Sequence, residues 1–462
     1  MKRLITCAGL AAVGATSLQA QFLGDSAPQK PWSVSAKLRG FYDDNYLTAA
    51  SQKNQLGQEK RGSWGAQLTP SVSYNNQWDV TSVGARFEYG ATYFEDRPRG
   101  AVDSSYMGTL SAGHSFGERL KVDVSDSFVA AQEPFLIEPT PVFTAFRRTK
   151  GDNIRNTGSF TATGSITQKL GAQLRYINTI KDYSESGGGS RSALLDSTEQ
   201  TAALDLRYNL SPSAVAVVGY QFGRLKMTGG DFVFNPQFLF DQFTAINGAA
   251  PTPAQQANLT ASIPKSNNRN SRSQSLYAGV DYNFTAKIAG KLRGGAQYTE
   301  YTDPSPGVTK PDNWVPYAEA ELGAQYGTGS SARIGVRHSR NQTDVALLLP
   351  SIVAKNQTPT LDQESTTLYG SVNQKIGPKL TAIVRAQWQN SKFNGGQADN
   401  QYDNYYGGDA QLVYQLPKIW KFMDLFAEAG YSFDRVDSDL VELGASRSFT
   451  RNRIYLGLRA TL

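Results

Sequence analysis

Cysteine is almost absent from this 462-residue chain: it has one, Cys7, near the start. That residue comes too early in the apolar stretch from Leu4 to Ala15 to be a lipoprotein acceptor, and a single thiol forms no internal disulfide. Histidine is nearly as scarce, with His114 and His338 alone. One thiol and two imidazoles provide no ligand set for a transition-metal centre, and no cofactor is expected. Carboxylates such as Asp43, Asp44 and Asp399 could bind a hard cation, but solvated loop charge is the better reading. Charge of one sign is lacking too. The 46 basic and 40 acidic residues leave a net +6, mixed along the chain, which points away from a nucleic-acid partner. Beyond the first twenty residues no run of ~18 apolar residues occurs, so no membrane helix is expected.

Lys2 and Arg3, the apolar stretch after them and Leu18-Gln19-Ala20 have the three parts of a secretory signal peptide over residues 1–20. Its removal would lower the charge to +4, since two basic residues leave with it. No linker or composition break follows, which predicts a single domain over 21–462.

The recurrent signal is period two. Ile454, Leu456, Leu458, Ala460 and Leu462 alternate with Arg453, Tyr455, Gly457, Arg459 and Thr461. Trp64, Ala66, Leu68, Val72 and Tyr74 share one face of another segment, and Leu380, Ala382, Val384, Ala386 and Trp388 share one face of a third. Alternation over ~10 residues marks a strand with lipid on one side and water on the other. A soluble sandwich also alternates. Here the apolar faces begin or end in Trp, Tyr or Phe, charges sit mid-strand on the opposite face, and short and long connections alternate. These features favour an all-β, transmembrane, antiparallel up-and-down β-barrel, since only a closed barrel leaves no strand edge unsatisfied in lipid.

Eight tight turns and nine longer loops divide the chain into about 18 strands, with 16 as the main alternative. Loops are expected near 43–61, 94–104, 132–156, 183–197, 227–271, 302–313, 347–363, 394–404 and 435–446. An even count places both termini on the turn side, the periplasm. The 227–271 loop is far longer than connectivity requires. Its first half concentrates Phe232, Phe234, Phe238, Phe240 and Phe243. These rings are candidates for an inward constriction, a local cap or a partner contact. The second half, rich in Pro, Ala, Gln, Asn and Ser, reads as mobile. Residues 132–156 and 346–354 hold two more apolar loop stretches, "EPFLIEPTPVF" and "ALLLPSIVA".

Residues 113–117, "GHSFG", match the nucleophile-elbow pattern of hydrolases. That elbow needs a following helix, yet Leu120, Val122 and Val124 continue with period two. Aligning Phe116-Gly117 with Leu170-Gly171 and Ile376-Gly377 makes each glycine a turn residue, and Ser115 the end of a strand. The two histidines share the lipid-facing parity on distant strands, and no histidine–acid cluster is evident at the loop-side rim. The chain therefore reads as non-enzymatic, with no catalytic residues. The stronger feature is a charged inward parity: Arg39, Arg86, Glu88, Asp205, Arg207, Arg293, Glu319, Glu321, Arg337, Arg385, Glu428, Arg453 and Arg459. Arginine and acid ladders on opposite walls would set a transverse field, or merely pair and stiffen the barrel.

The closing residues Tyr455 to Leu462 resemble the C-terminal signal read by the barrel assembly machinery. Tyr455 and Gly457 fit it, and Leu462 stands where Phe is usual. More broadly, "KLRGFYDDNYLTA" (37–49), "RRTKGDNIRNTGSF" (147–160) and "RNRIYLGLRATL" (451–462) resemble the β-barrel porin family of Gram-negative-type outer-membrane proteins. The resemblance implies an outer-membrane barrel of poorly defined cargo, sometimes associated with envelope polysaccharide export, and supplies no catalytic residues. The expected partners are outer-membrane lipid and lipopolysaccharide, the assembly machinery, and small hydrophilic solutes or polysaccharide. A porin-like channel for passive diffusion is the first expectation, because barrels of 16–18 strands are wide enough for water. An accessory barrel for exopolysaccharide export or assembly, and a closed structural or adhesive barrel, are the alternatives.

Overall fold

The computed structural model describes residues 31–50, 59–97, 101–132, 153–304, 313–345, 358–418, 422–442 and 445–462. The expected signal peptide, both apolar loop stretches and Arg147, Arg148 and Lys150 lie outside the described residues. The wall opens with β1 (Trp32–Asp43), β2 (Ser63–Gln77), β3 (Thr81–Phe94), β4 (Val102–Phe116), β5 (Leu120–Ala131) and β6 (Asn153–Ser165). It continues through β7 (Leu170–Tyr183), β8 (Ser197–Ser211), β9 (Ala214–Met227), β10 (Ser271–Asn283), β11 (Ile288–Tyr301) and β12 (Asn313–Gly327). It ends with β13 (Ser330–Asn341), β14 (Asp362–Ile376), β15 (Leu380–Asn394), β16 (Tyr402–Gln415), β17 (Asp424–Ser438) and β18 (Phe449–Thr461).

These eighteen strands form one antiparallel sheet in which each pairs with the next. The sheet closes on itself: β18 pairs with β1, with Leu458 opposite Leu38. No edge remains to be satisfied, the condition for strands in lipid.

The alternation sets the two faces. Leu38, Leu456 and Leu458 are 58%, 68% and 56% exposed, and large apolar side chains of every strand share this outward position. A belt of this kind belongs in a bilayer, not in water. Directly opposed aromatic pairs bound it. Trp32 and Tyr74 meet at 4.7 Å at the turn side, while Tyr42 and Trp64 (5.1 Å) and Tyr298 and Trp314 (5.2 Å) meet at the loop side. The protein is an outer-membrane β-barrel.

Local chemistry makes the turns. Gly117 and Gly377 take φ of +68° and +64°, the left-handed region that favours glycine. The 165–170 turn departs from the expected alignment, because Gly171 lies inside β7. There Thr167 Oγ1 accepts hydrogen bonds from the amides of Lys169 and Leu170 at 3.2 and 2.9 Å, so a side chain caps the turn and no glycine is needed.

The apolar clusters of the described residues lie at the loop ends of strands, not at the centre. The largest belongs to a small helical cap. Helix α1 (Arg191–Leu195) precedes β8, and α2 (Gln237–Asn247) and α3 (Pro253–Ala261) lie between β9 and β10. The stretch expected to be mobile therefore contains a helix. Its capping box explains this: Thr252 N donates to Gln255 Oε1 at 2.8 Å, Gln255 N donates back to Thr252 Oγ1 at 3.4 Å, and Pro253 begins the helix.

Candidate functional site: the charged lumen and its mouth

The residues opposite the apolar belt line the concave face, and three ion pairs establish this by stepping over a strand. Arg207 on β8 reaches Asp281 on β10 at 2.7 Å, and Lys37 on β1 reaches Glu88 on β3 at 3.4 Å. Arg39 on β1 reaches Glu428 on β17 at 2.5 Å. The intervening strand makes room. A Cβ on Gly457 of β18 would lie 2.6 Å from Arg39 Cγ, and one on Gly219 of β9, at the level where the Tyr277 hydroxyl reaches over to Asp205, would lie 2.2 Å from the Tyr277 ring. In the structure Gly457 is thus the gap through which an inward arginine passes, a packing role beside its resemblance to an assembly signal. Tyr455 faces the same side, under the Arg39 guanidinium at 4.4 Å, whereas Leu462 is exposed outward.

The inner charges form two networks. Across β8–β13, Arg293 also pairs with Asp281 (2.6 Å), Lys291 with Glu319 (2.6 Å), and Arg333 with Glu321. Asp205 accepts from the Tyr277 hydroxyl at 2.6 Å, and Arg337 stands opposite Glu319 in register. Across β15–β3, Arg459 shares Glu428 (3.3 Å), Arg86 shares Glu88 (2.6 Å), Arg385 pairs with Asp409 (3.7 Å), and Arg453 with Asp43 (2.8 Å). Between the networks, the middle of β4–β6 presents hydroxyls instead: Ser111, Ser125 and Ser159 stand side by side, with Ser125 and Ser159 bonded at 2.7 Å. The face opposite the apolar belt is thus a wall of fixed dipoles and paired charges.

The mouth is narrower than the wall. β13 ends at Asn341, six residues before the loop expected from sequence, and Gln342–Val345 turn into the opening, where all four are buried. On one side Gln342 Oε1 accepts from Lys181 of β7 at 3.2 Å and Ser197 of β8 at 3.4 Å. The Thr343 carbonyl accepts from Arg269, whose other nitrogen donates to Leu194 of α1 at 2.9 Å. Asp344 pairs with Arg191 of α1 at 3.6 Å on this same side, and with Arg447, before β18 on the other side, at 2.9 Å; Arg447 also lies 3.5 Å from Asp403 of β16. Val345 packs with Phe393, Ala398 and Leu440. Four residues thus join loops from opposite parts of the rim. Burial pulls the Arg269 guanidinium down to about 10, which leaves it charged at neutral pH.

The phenylalanines lie elsewhere. Phe234 is buried with Leu194, Leu195, Leu239 and Ile263, and Phe232 packs against that cluster. Phe238, Phe240 and Phe243 are half-buried on α2. They form the cap, while a polar segment crosses the mouth. No periodic or compositional signal singles out residues 342–345, whose importance comes from partners far away in sequence.

Ser115 ends β4 opposite Lys121, and a strand follows its turn. Its neighbour His114 turns outward to Thr81 Oγ1 at 2.7 Å. At the loop-side rim the structure corrects one expectation, since His338 does meet an acid. Its Nε2 lies 3.0 Å from Glu364 Oε1, and its Nδ1 lies 2.8 Å from Thr366 Oγ1. Cross-strand register puts β13 beside β14 and creates a contact that spacing in sequence hides. The group faces outward, and the surrounding strand amides are committed to the sheet, so no oxyanion donors converge on Thr366.

No protein-family model matches the chain, and no curated protein matches it in sequence. Among solved structures it is similar to OccAB2 of Acinetobacter baumannii at 12% identity, over 93% of this chain and 98% of that one, with a TM-score of 0.40. It is similar to OccK2 (OpdF) of Pseudomonas aeruginosa at 12% identity, over 93% and 98%, with a TM-score of 0.43. The FrpB iron transporter of Neisseria meningitidis (F5-1 variant) shares 10% identity over 96% and 84%, with a TM-score of 0.44. None of these scores reaches 0.5, and nothing about cargo follows from them.

Proposed function

We propose that this barrel is a passive channel for small hydrophilic solutes, with its cross-section limited at the extracellular mouth by residues 342–345. The observation that carries the reading is the inner wall itself. Arg39, Arg207 and Lys37 reach carboxylates two strands away, Arg39 over Gly457, Lys37 over Thr69 and Ser71, and Arg207 over the buried Val217, which maintains a polar, water-compatible face around the lumen. A barrel built only as a scaffold has no need of such a wall. The buried crossing at the mouth favours small solutes over a polymer. No step of catalysis is part of this function.

Single-channel recording of the refolded protein in a planar bilayer tests the reading. Discrete conductance steps are expected, insensitive to added oligosaccharide. A folded barrel that never conducts would defeat the channel; sugar-dependent current block would favour polysaccharide passage. Recognition of Tyr455, Gly457 and Leu462 by the assembly machinery belongs to the same proposal, and a Leu462→Ala chain that assembles at the wild-type rate would remove that part.

A further inference from the structure

Most arginines of the inner wall have a carboxylate partner, but a cluster of three basic side chains on the outer wall has none among the described residues. Arg224 and Lys226 on β9 and Arg272 on β10 are exposed on the outward face, and none makes an ion pair or side-chain hydrogen bond among the described residues. Arg224 and Arg272 stand directly opposite each other in register. Like charges directly opposed across two strands repel, so this arrangement is unfavourable unless an anion lies between them. Glu300, opposite Arg272 on β11, has a partner of its own. Beside the cluster, Gln274 accepts from the Tyr220 hydroxyl at 3.2 Å through its oxygen, which leaves its amide hydrogens to donate outward.

Height decides what the anion is. From Ala214 to Phe222 the outward face of β9 climbs eight residues, roughly 20 Å along the axis for a strand rising ~3.3 Å per residue at a tilt of ~40°. That nearly fills an apolar band ~25 Å tall. Arg224 and Lys226 therefore begin where acyl chains end, on the side of the long loops. Just below them Phe222 and Leu276 are exposed, as an acyl chain would require. We propose that Arg224, Lys226 and Arg272 form an external site for the phosphate groups of outer-leaflet lipid headgroups, with Gln274 as an added donor. Basic clusters at a membrane surface bind anionic headgroups in this way. The proposal rests on the orientation of the barrel in the membrane and is independent of whether it conducts.

The test is native mass spectrometry of the full detergent-purified barrel with three probes: diphosphorylated lipid A, the same lipid without phosphates, and inorganic phosphate. The wild type should hold the diphosphorylated lipid about a hundredfold more tightly than the folded variant R224Q/K226Q/R272Q, at roughly a factor of several per basic residue. Lys392→Gln, an outward lysine opposite Glu364, should bind like the wild type. Equal binding by the triple variant would overturn the site, as would equal binding of the dephosphorylated lipid by the wild type. A matching loss in Lys392→Gln would reduce the effect to diffuse charge. Displacement of the lipid by equimolar inorganic phosphate would make the ligand a free ion and overturn the lipid assignment. Each protein is first shown to be folded by its shifted gel mobility when unboiled.

Discussion

Replacing Asp344 should open the mouth. Its carboxylate is 2% exposed and pairs with Arg447, itself 2% exposed, at 2.9 Å and with Arg191 at 3.6 Å. Removing one member of a buried pair costs about 3–5 kcal/mol when the other charge is left without compensation, and less here, because Arg447 keeps the buried Asp403 at 3.5 Å. The remaining local anchors of the crossing are weaker. The Arg269 hydrogen bond to the Thr343 carbonyl contributes about 1.5–3 kcal/mol, and burial of Val345 about 1.5–3 kcal/mol. At 1.4 kcal/mol per tenfold, loss of Asp344 shifts the ratio of crossed to uncrossed mouths by at most about a hundredfold to a few thousandfold, the retained Asp403 contact lowering the figure. In single-channel records Asp344→Ala should show larger steps or longer open dwells than the wild type. The triple variant D344N/D403N/R447M should recover much of the narrow state, since Arg447 and both of its buried carboxylate partners lose their charge together. A folded Asp344→Ala barrel with wild-type conductance and dwell times would refute the reasoning, and so would a triple variant as open as the single one.

Three further outcomes are expected. Ser115→Ala should leave conductance and assembly unchanged, whereas Gly117→Val, forced to φ +68°, should cost about 1–2 kcal/mol and lower the yield of heat-modifiable barrel. Gly219→Ala places a methyl 2.2 Å from the Tyr277 ring and 2.3 Å from Asp205 Oδ1, so the unfolding temperature read on unboiled gels should fall; overpacking of this kind costs about 1–3 kcal/mol. At the β1–β18 seam, burial acts to raise the Asp44 carboxyl, but Lys60 and the backbone and side-chain amides of Asn452 outweigh it and hold the carboxyl below its ordinary range. Its stabilising effect is therefore present above the ordinary aspartate value and lost as pH falls through the lower folded one. The protection of the Asn452 amide, its hydrogen-exchange rate measured against the intrinsic rate at each pH, should fall on acidification in the wild type and should lack that dependence in Asp44→Asn.

Much of this molecule could be read in one dimension because its rules are short-range. Side chains of a strand alternate every two residues, so Leu456, Leu458 and Arg459 declare their faces without knowledge of any neighbour. Turn residues act over three or four positions, and the count of eighteen strands follows from them. The same locality has limits inside the turns, since Gly171 looked like Gly117 until Thr167 was seen to cap its own turn. Periodicity also assigned the inward parity of Arg39 and Glu428, but not that they meet, because 389 residues separate them in the chain.

The mouth was decided by tertiary contacts alone. Residues 342–345 carry no periodicity, and their burial depends on Arg191, Arg269 and Arg447, which closure of the sheet brings around one opening. The phenylalanines of α2 were legible as apolar, yet their partners Leu194 and Leu195 come from another loop, so sequence could not tell a constriction from a cap. The outward trio Arg224, Lys226 and Arg272 is split by a loop of more than forty residues between β9 and β10. Alternation orders a strand by itself; a site made of loops exists only once the barrel has closed and set the distances between them.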